Sequence, residues 1–276
     1  MAVKTAVIAG KKKEHRKNLI KIFDKISYRH GKHNVWRDFI YMCAAALSQP
    51  FDFKQNREDE YLRIIKSYDK ETQDLFVDMF GELILAFQEE GFGDILGEVY
   101  SELGMTNEKN GQFFTPYHIC CMMAALNGDG EGLTAEIQRK GYISVNDPCC
   151  GGGAMLIAFA EHCRDSGIDY EKSVLFVAQD IDPLVSLMCY LQMTLLNMSG
   201  YVLIGNTLSN EIIDESHIWV TPAYYLNEFH FRIQNTAEDT DEIIETETVQ
   251  AVTPDFDIMF RESDSGQIVF DFDYAS

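Results

Sequence analysis

The sequence predicts an α/β fold in which a helical amino-terminal region precedes a parallel sheet, and three observations predict it. Apolar residues recur at helical spacing through roughly the first hundred positions. An apolar lead-in, Tyr142 to Val145, runs into Asn146-Asp147-Pro148-Cys149-Cys150-Gly151-Gly152-Gly153-Ala154, after which a helical pattern begins. Two further short runs of strand formers, Val174 to Ala178 and Tyr201 to Ile204, each end in polar residues.

In chain order, the helical region comes first. Leu19, Ile20, Phe23 and Ile26 share one helix face, as do Trp36, Phe39, Ile40 and Cys43, and then Leu62, Ile65 and Tyr68. Further helices are expected over Thr72 to Glu89 and Asp94 to Leu103, with Gly91 and Gly93 punctuating the pair. In Gly111-Gln112-Phe113-Phe114-Thr115-Pro116, Pro116 restrains Thr115 to an extended conformation and suits the first turn of a helix starting near Tyr117. We place the domains at 1–108, helical, and 109–276, the sheet domain with an acidic carboxyl-terminal segment.

The glycine-rich turn has the grammar of a strand-to-helix loop that cradles a nucleotide-like ligand. Glycines admit close backbone approach and positive φ, and the helix start offers unpaired N–H groups. The dinucleotide fingerprint needs a small residue three positions after Gly153, where Leu156 stands; a phosphate loop needs a lysine, and none occurs between Lys140 and Lys172. Asp180, at the carboxyl end of the second strand, is placed to accept both hydroxyls of a ribose. Asp182 reads as the N-cap of the next helix, with Pro183 at its first position. An ordinary glycine turn and a solvated loop acid are the bland readings of these features.

Taken together, Asp147-Pro148-x-Cys150-Gly151-x-Gly153, the preceding Gly-x-Phe-Phe-Thr-Pro, Asp180 and the strand ending at Asn206 resemble the N6-adenine DNA methyltransferases, in that family's order, over roughly positions 110 to 210. The resemblance implies a Rossmann-like S-adenosylmethionine-dependent methyltransferase fold. It also implies that Phe114, Thr115, Pro116, Asp147, Cys150, Gly151, Gly153, Asp180 and Asn206 surround that cofactor. Relatives often carry Asp-x-Leu where this chain has Asn206-Thr207-Leu208, so the side chain meeting the adenine is an amide here. Type I modification subunits similarly place a helical region ahead of the methyltransferase fold.

The resemblance thins at the catalytic element. The family's Asn/Asp-Pro-Pro-Tyr/Phe turn accepts the two amino hydrogens of the target adenine and stacks an aromatic ring on the extruded base. No Pro-Pro pair occurs in this sequence. The nearest candidate follows the short strand Ile218 to Val220: Thr221-Pro222-Ala223-Tyr224, with Thr221, Pro222 and Tyr224 as a degenerate catalytic turn, or an ordinary strand-ending turn.

Composition fits this reading. With 46% hydrophobic residues the chain can bury a sizeable core. Seven cysteines, odd in number and without a Cys-x-x-Cys, point to reduced cytoplasmic thiols and away from a disulfide framework or zinc site. No cleavable signal is visible, and Gln192, Asn197, Ser199 and Gly200 break the uncharged stretch from Pro183 to Asn210 into a buried helix and strand, with no membrane call. Residues 1 to 66 hold fifteen Lys/Arg and seven Asp/Glu, net +8; the remainder holds eight and thirty-seven, net −29. That balance argues against broad coating of nucleic acid by the main body. Lys11, Lys12, Lys13, Arg16, Lys17, Lys21 and Lys25 form either a local DNA contact or a solvated helix face.

From Thr236 onward twelve acids stand against Arg261 alone. The segment reads as a mobile acidic loop followed by a hairpin over Asp255 to Phe260 and Gln267 to Tyr274. Three functions stand open: an adenine-N6 DNA methylase, with DNA as substrate and a specificity or other subunit as partner; a catalytically inactive cofactor-binding regulatory or decoy subunit; and an interaction protein retaining only the fold.

Overall fold

The computed structural model describes residues 13–106, 115–128, 130–209, 213–233, 260–262 and 268–270. Residues 1–227 form one compact unit and 228–276 a second. In the first unit a helical amino-terminal region leads into a sheet of mainly parallel strands, as the sequence predicts. Its helices are α1 (Glu14–His30), α2 (Lys32–Ser48), α3 (Gln55–Ile65), α4 (Lys70–Glu90) and α5 (Ile95–Glu102). Gly31 and Gly91, both at positive φ, end α1 and α4, and the N-cap Asp69 of α4 accepts the amide of Thr72 at 2.8 Å. The predicted apolar faces meet around Trp36, which is fully buried with Phe23 set edge-on at 5.8 Å.

The alternating part follows: α6 (Tyr117–Asn127), α7 (Gly130–Lys140), β1 (Ile143–Asp147), α8 (Ala154–Asp165), α9 (Tyr170–Ser173), β2 (Val174–Asp180), α10 (Pro183–Leu195), β3 (Gly200–Ile204), β4 (Ile218–Val220) and α11 (Pro222–Leu226). The sheet order is β1-β2-β3-β4. The first three strands are parallel, with Val145 beside Phe176 and Phe176 beside Gly200; β4 runs antiparallel to β3, with Tyr201 opposite Val220. Strand β2 is buried along all but its last residue, which is why it reads as an unbroken apolar run. At Gly200 an added Cβ would lie 1.9 Å from the carbonyl oxygen of Phe176, so only glycine lets β3 approach β2 there.

Helix α10 packs on α2 on one side and on β2 and β3 on the other, so it is buried almost all round. This accounts for the uncharged stretch beginning at Pro183. Among the described residues no helix is long and apolar enough to cross a membrane. The loop between α2 and α3 covers β4. The Arg57 guanidinium lies 3.7 Å over the Trp219 ring, donates to the Ile218 carbonyl and pairs with Asp52 at 2.9 Å, while Lys54 reaches the Glu215 carbonyl at 2.7 Å. The helices before residue 106 and the sheet that follows share one hydrophobic core.

The basic residues of α1 are only partly outward. Arg16 is buried, forked onto Glu90 at 2.6 and 3.1 Å and bonded to Glu98; Lys25 pairs with Glu71 at 3.2 Å. Lys17 and Lys21 are exposed, and Lys11 and Lys12 lie outside the described residues. In the second unit, β5 (Phe260–Glu262) and β6 (Ile268–Phe270) pair antiparallel with Phe260 opposite Phe270. Of the expected hairpin, Phe260 from the first strand and Ile268–Phe270 from the second lie in this pairing, which forms a two-stranded sheet of its own; the rest of its two strands lies outside the described residues.

Gly200→Ala is expected to destabilise the fold by about 3 kcal/mol by forcing β3 from β2, measured as a lowered denaturant midpoint.

Candidate cofactor site

The carboxyl ends of β1, β2 and β3 lie side by side, and the segments leaving them are tied together. From β1, Asp147 accepts the amide of Cys149 at 3.2 Å and so starts the turn. The amide of Cys150 then donates to the Gln179 carbonyl at 2.9 Å, joining the loop to β2. Gly153 is left-handed at φ 93°, and a Cβ there would meet the Cys189 sulfur at 2.7 Å. Both its conformation and its contact with α10 require glycine.

Asp180 uses both carboxylate oxygens inside the protein: Oδ2 accepts the amide of Gly151 at 2.9 Å and Oδ1 that of Asp182 at 3.0 Å. Asp182 caps α10 through the amide of Leu184 at 2.8 Å, with Pro183 at the first helical position. From β3, the Asn206 side-chain Oδ1 accepts the amide of Leu208 at 3.0 Å, and the Thr207 hydroxyl donates to the Pro148 carbonyl at 2.5 Å, closing the third segment onto the first. Asp147, Gly151, Gly153, Asp180 and Asn206 are thus brought to one crevice, with Cys150 buried beneath it.

The crevice is negative. Burial raises the Asp147 carboxyl above the usual carboxylate range, and Asp180 raises it further. The exposed Cys149 thiol is pushed up by burial and by the same two acids. No Lys or Arg occurs in 147–153, 180–183 or 205–208. Two apolar side chains stand exposed at the rim, Ile181 at 67% and Leu208 at 89%. Sequence reasoning passed over both; for Ile181 the available signal was an apolar residue directly following a strand-ending acid.

Pro116 is the N-cap residue of α6, and the Thr115 carbonyl faces the Cys120 sulfur at 3.7 Å. Burial raises the Cys120 thiol to about 11, and the charges of Asp94 and Asp147 add to the rise. Phe114 lies outside the described residues.

The structure does not bring the candidate catalytic turn to this crevice. Because β4 returns antiparallel, Thr221 sits beside the amino end of β3, about 13 Å along the strand from the crevice at the rise of an extended chain. The connection from 205 to 217 contains, among the described residues, only turns and the short 3-10 segment Glu215–His217, not the helix a parallel crossover uses. Thr221 is fully buried; its hydroxyl takes the amide of Gly200 at 3.0 Å and lies 2.9 Å from the Met198 carbonyl. Pro222 starts α11, and the Tyr224 ring is 2% exposed, edge-on to Tyr201 at 6.3 Å. The threonine hydroxyl is thus engaged by backbone groups and the tyrosine ring is enclosed in the core.

Parallel strands wound with helices, with a glycine loop and acids at their carboxyl ends, define an α/β fold of the class in which ligands lie at the strand ends. The family model described as N-6 DNA Methylase matches residues 88–256, more than half of the sequence, and the chain belongs to that family. Among solved structures, it is similar to a Listeria monocytogenes protein described as a class I S-adenosylmethionine-dependent methyltransferase, at 18% identity and a TM-score of 0.38, over 73% of this chain and 56% of that one. This chain therefore spans little more than half the length of that protein. None of the curated proteins matches the chain.

Thr221→Val is expected to cost about 1–3 kcal/mol by leaving the buried Gly200 amide without its acceptor, while leaving ligand affinity at the crevice unchanged. Paired denaturation and titration experiments separate the two.

Proposed function

We propose that the chain binds S-adenosylmethionine in this crevice and is the cofactor-binding component of an adenine-N6 DNA methylase, working with a partner that holds the target base. The observation that carries the reading is the convergence of Asp147, the Gly151–Gly153 turn and Asp180, with two carboxylates and no Lys or Arg in the strand-end segments 147–153, 180–183 and 205–208. That charge suits a ligand bearing a sulfonium and an ammonium and opposes one bearing phosphates.

Each group has work to do. Asp180 keeps unused lone pairs on both oxygens for ribose hydroxyls. Ile181 and Leu208 offer apolar surface to a purine ring, and the amide nitrogen of Asn206 offers a donor to its edge. When bound, the cofactor supplies an electrophilic methyl group; the chain's part is to orient it and exclude water. The amino group of adenine is a weak nucleophile, so something must accept its hydrogens. The burial of Thr221 and Tyr224 away from the crevice supports a base-holding group on another chain, and the net charge of −21 disfavours unaided DNA binding. A partner carrying the base-holding turn and positive charge meets both needs.

The same placement favours a second reading, a regulatory subunit that binds the cofactor without turnover. Titration with S-adenosylmethionine in a calorimeter, with Asp180→Ala as control, tests the shared claim: saturable binding that the substitution weakens about tenfold or more supports it. No binding by the folded protein overturns it. Transfer of labelled methyl to adenine-containing DNA then separates methylase from regulator.

Affinity is also expected to fall with pH. Protonating Asp147, whose carboxyl titrates above the ordinary 3.8, removes negative charge from the site of a cationic ligand. Binding therefore weakens as pH drops through that raised value, and Asp147→Asn flattens this part of a pH titration.

A further inference from the structure

Beneath the glycine loop lies a polar cluster that joins it to the helical region. Gln192, in the middle of α10, is fully buried. Its Nε2 donates to the Gly152 carbonyl at 2.7 Å and to Asp94 Oδ1 at 2.8 Å, and its Oε1 accepts the amide of Leu96 at 3.0 Å. One acceptor pair and one donor fix the amide in a single orientation. Asp94 is the N-cap of α5: the same Oδ1 accepts the amide of Gly97 at 3.0 Å. Asp94 is 4% exposed, and burial raises its carboxyl above the ordinary range.

Gly152 stands between Gly151, which Asp180 holds, and Gly153, which admits only glycine. A carbonyl rotated away from Gln192 would carry the neighbouring amides with it. We infer that Gln192 is a positioning residue that couples the first turn of α5 to the cofactor loop, so that occupancy of the crevice and order in α5 rise and fall together. The inference rests on the reading of the crevice as an S-adenosylmethionine site. It goes beyond that reading by making the helical region a place from which the site is regulated: a partner bound at α5 and a ligand bound at the loop each alter the other's affinity.

The test combines S-adenosylmethionine titration with amide hydrogen exchange on the full chain. Gln192→Met keeps the length of the side chain and removes its donor and acceptor. Asp94→Asn keeps an oxygen for both Gln192 and Gly97 while removing the buried charge. Ligand is expected to slow exchange at Leu96 and Gly97 in the native protein. Gln192→Met should weaken binding about tenfold and abolish that slowing, whereas Asp94→Asn retains both. A purely structural role for Gln192 would lower the melting temperature and leave the ligand-dependent exchange of α5 intact.

Unchanged affinity in a folded Gln192→Met, or native exchange at α5 that ignores the ligand, overturns the inference; the second measurement needs no variant. Failure of the native protein to bind S-adenosylmethionine sinks the reading of the crevice instead. The coupling is then decided without ligand, by whether Gln192→Met speeds exchange at Gly97 and at Gly151 and Gly153 together or at one end alone.

Discussion

Asp180 commits each carboxylate oxygen to a backbone amide, and the form of the crevice depends on that pair of bonds. One fixes Gly151 and so the glycine loop leaving β1; the other fixes Asp182 and so the start of α10. A charge-assisted bond to a backbone amide is stronger than a neutral one, and two from one rigid carboxylate set distance and angle at once. The turn after β3 completes the frame through Thr207 and Pro148. The acid that the chemistry would assign to a ligand is therefore first a builder of the site, and the ligand is left its remaining lone pairs.

The helical region is bound into this frame. Helix α10 is the shared wall: α2 packs on it from outside, β2 and β3 from inside, and Gln192 crosses it. At the sheet's far edge Arg57 stacks on Trp219, so the strand that returns antiparallel is closed by the helical region rather than left as a bare edge. On the opposite side no described strand pairs with the outer edge of β1. In doubly wound sheets ligands lie at the switch between two halves, with strands to both sides of the first. The described strands form one half.

Local chemistry was the legible part of the sequence. The glycine turn, the acid ending β2, Asp182 with Pro183, and the faces around Trp36 all express constraints that act over a few residues: positive φ, an unfilled N-cap, a 3.6-residue period. What the sequence did not carry was the direction of β4. Ile218-Trp219-Val220 reads as a strand whichever way it pairs, and its direction follows from a connection without a crossover helix. The distance of Thr221 and Tyr224 from the crevice follows from that direction. Arg16 misled in another way: a basic residue on a charged helix suggests a solvent face, whereas here it is drawn inward by Glu90 and Glu98, seventy-four and eighty-two positions away. Ion pairs of that range leave no local pattern.

The acids of the crevice also govern Cys149. Its sulfur is the exposed thiol of the loop, a setting in which oxidation often begins, since the reactive species is the thiolate. Asp147 and Asp180 oppose that ionisation, so the negative field that would welcome a sulfonium also keeps the neighbouring sulfur protonated. Burial and the two carboxylates together hold the thiol of this loop toward its protonated form, the form less reactive toward oxidants.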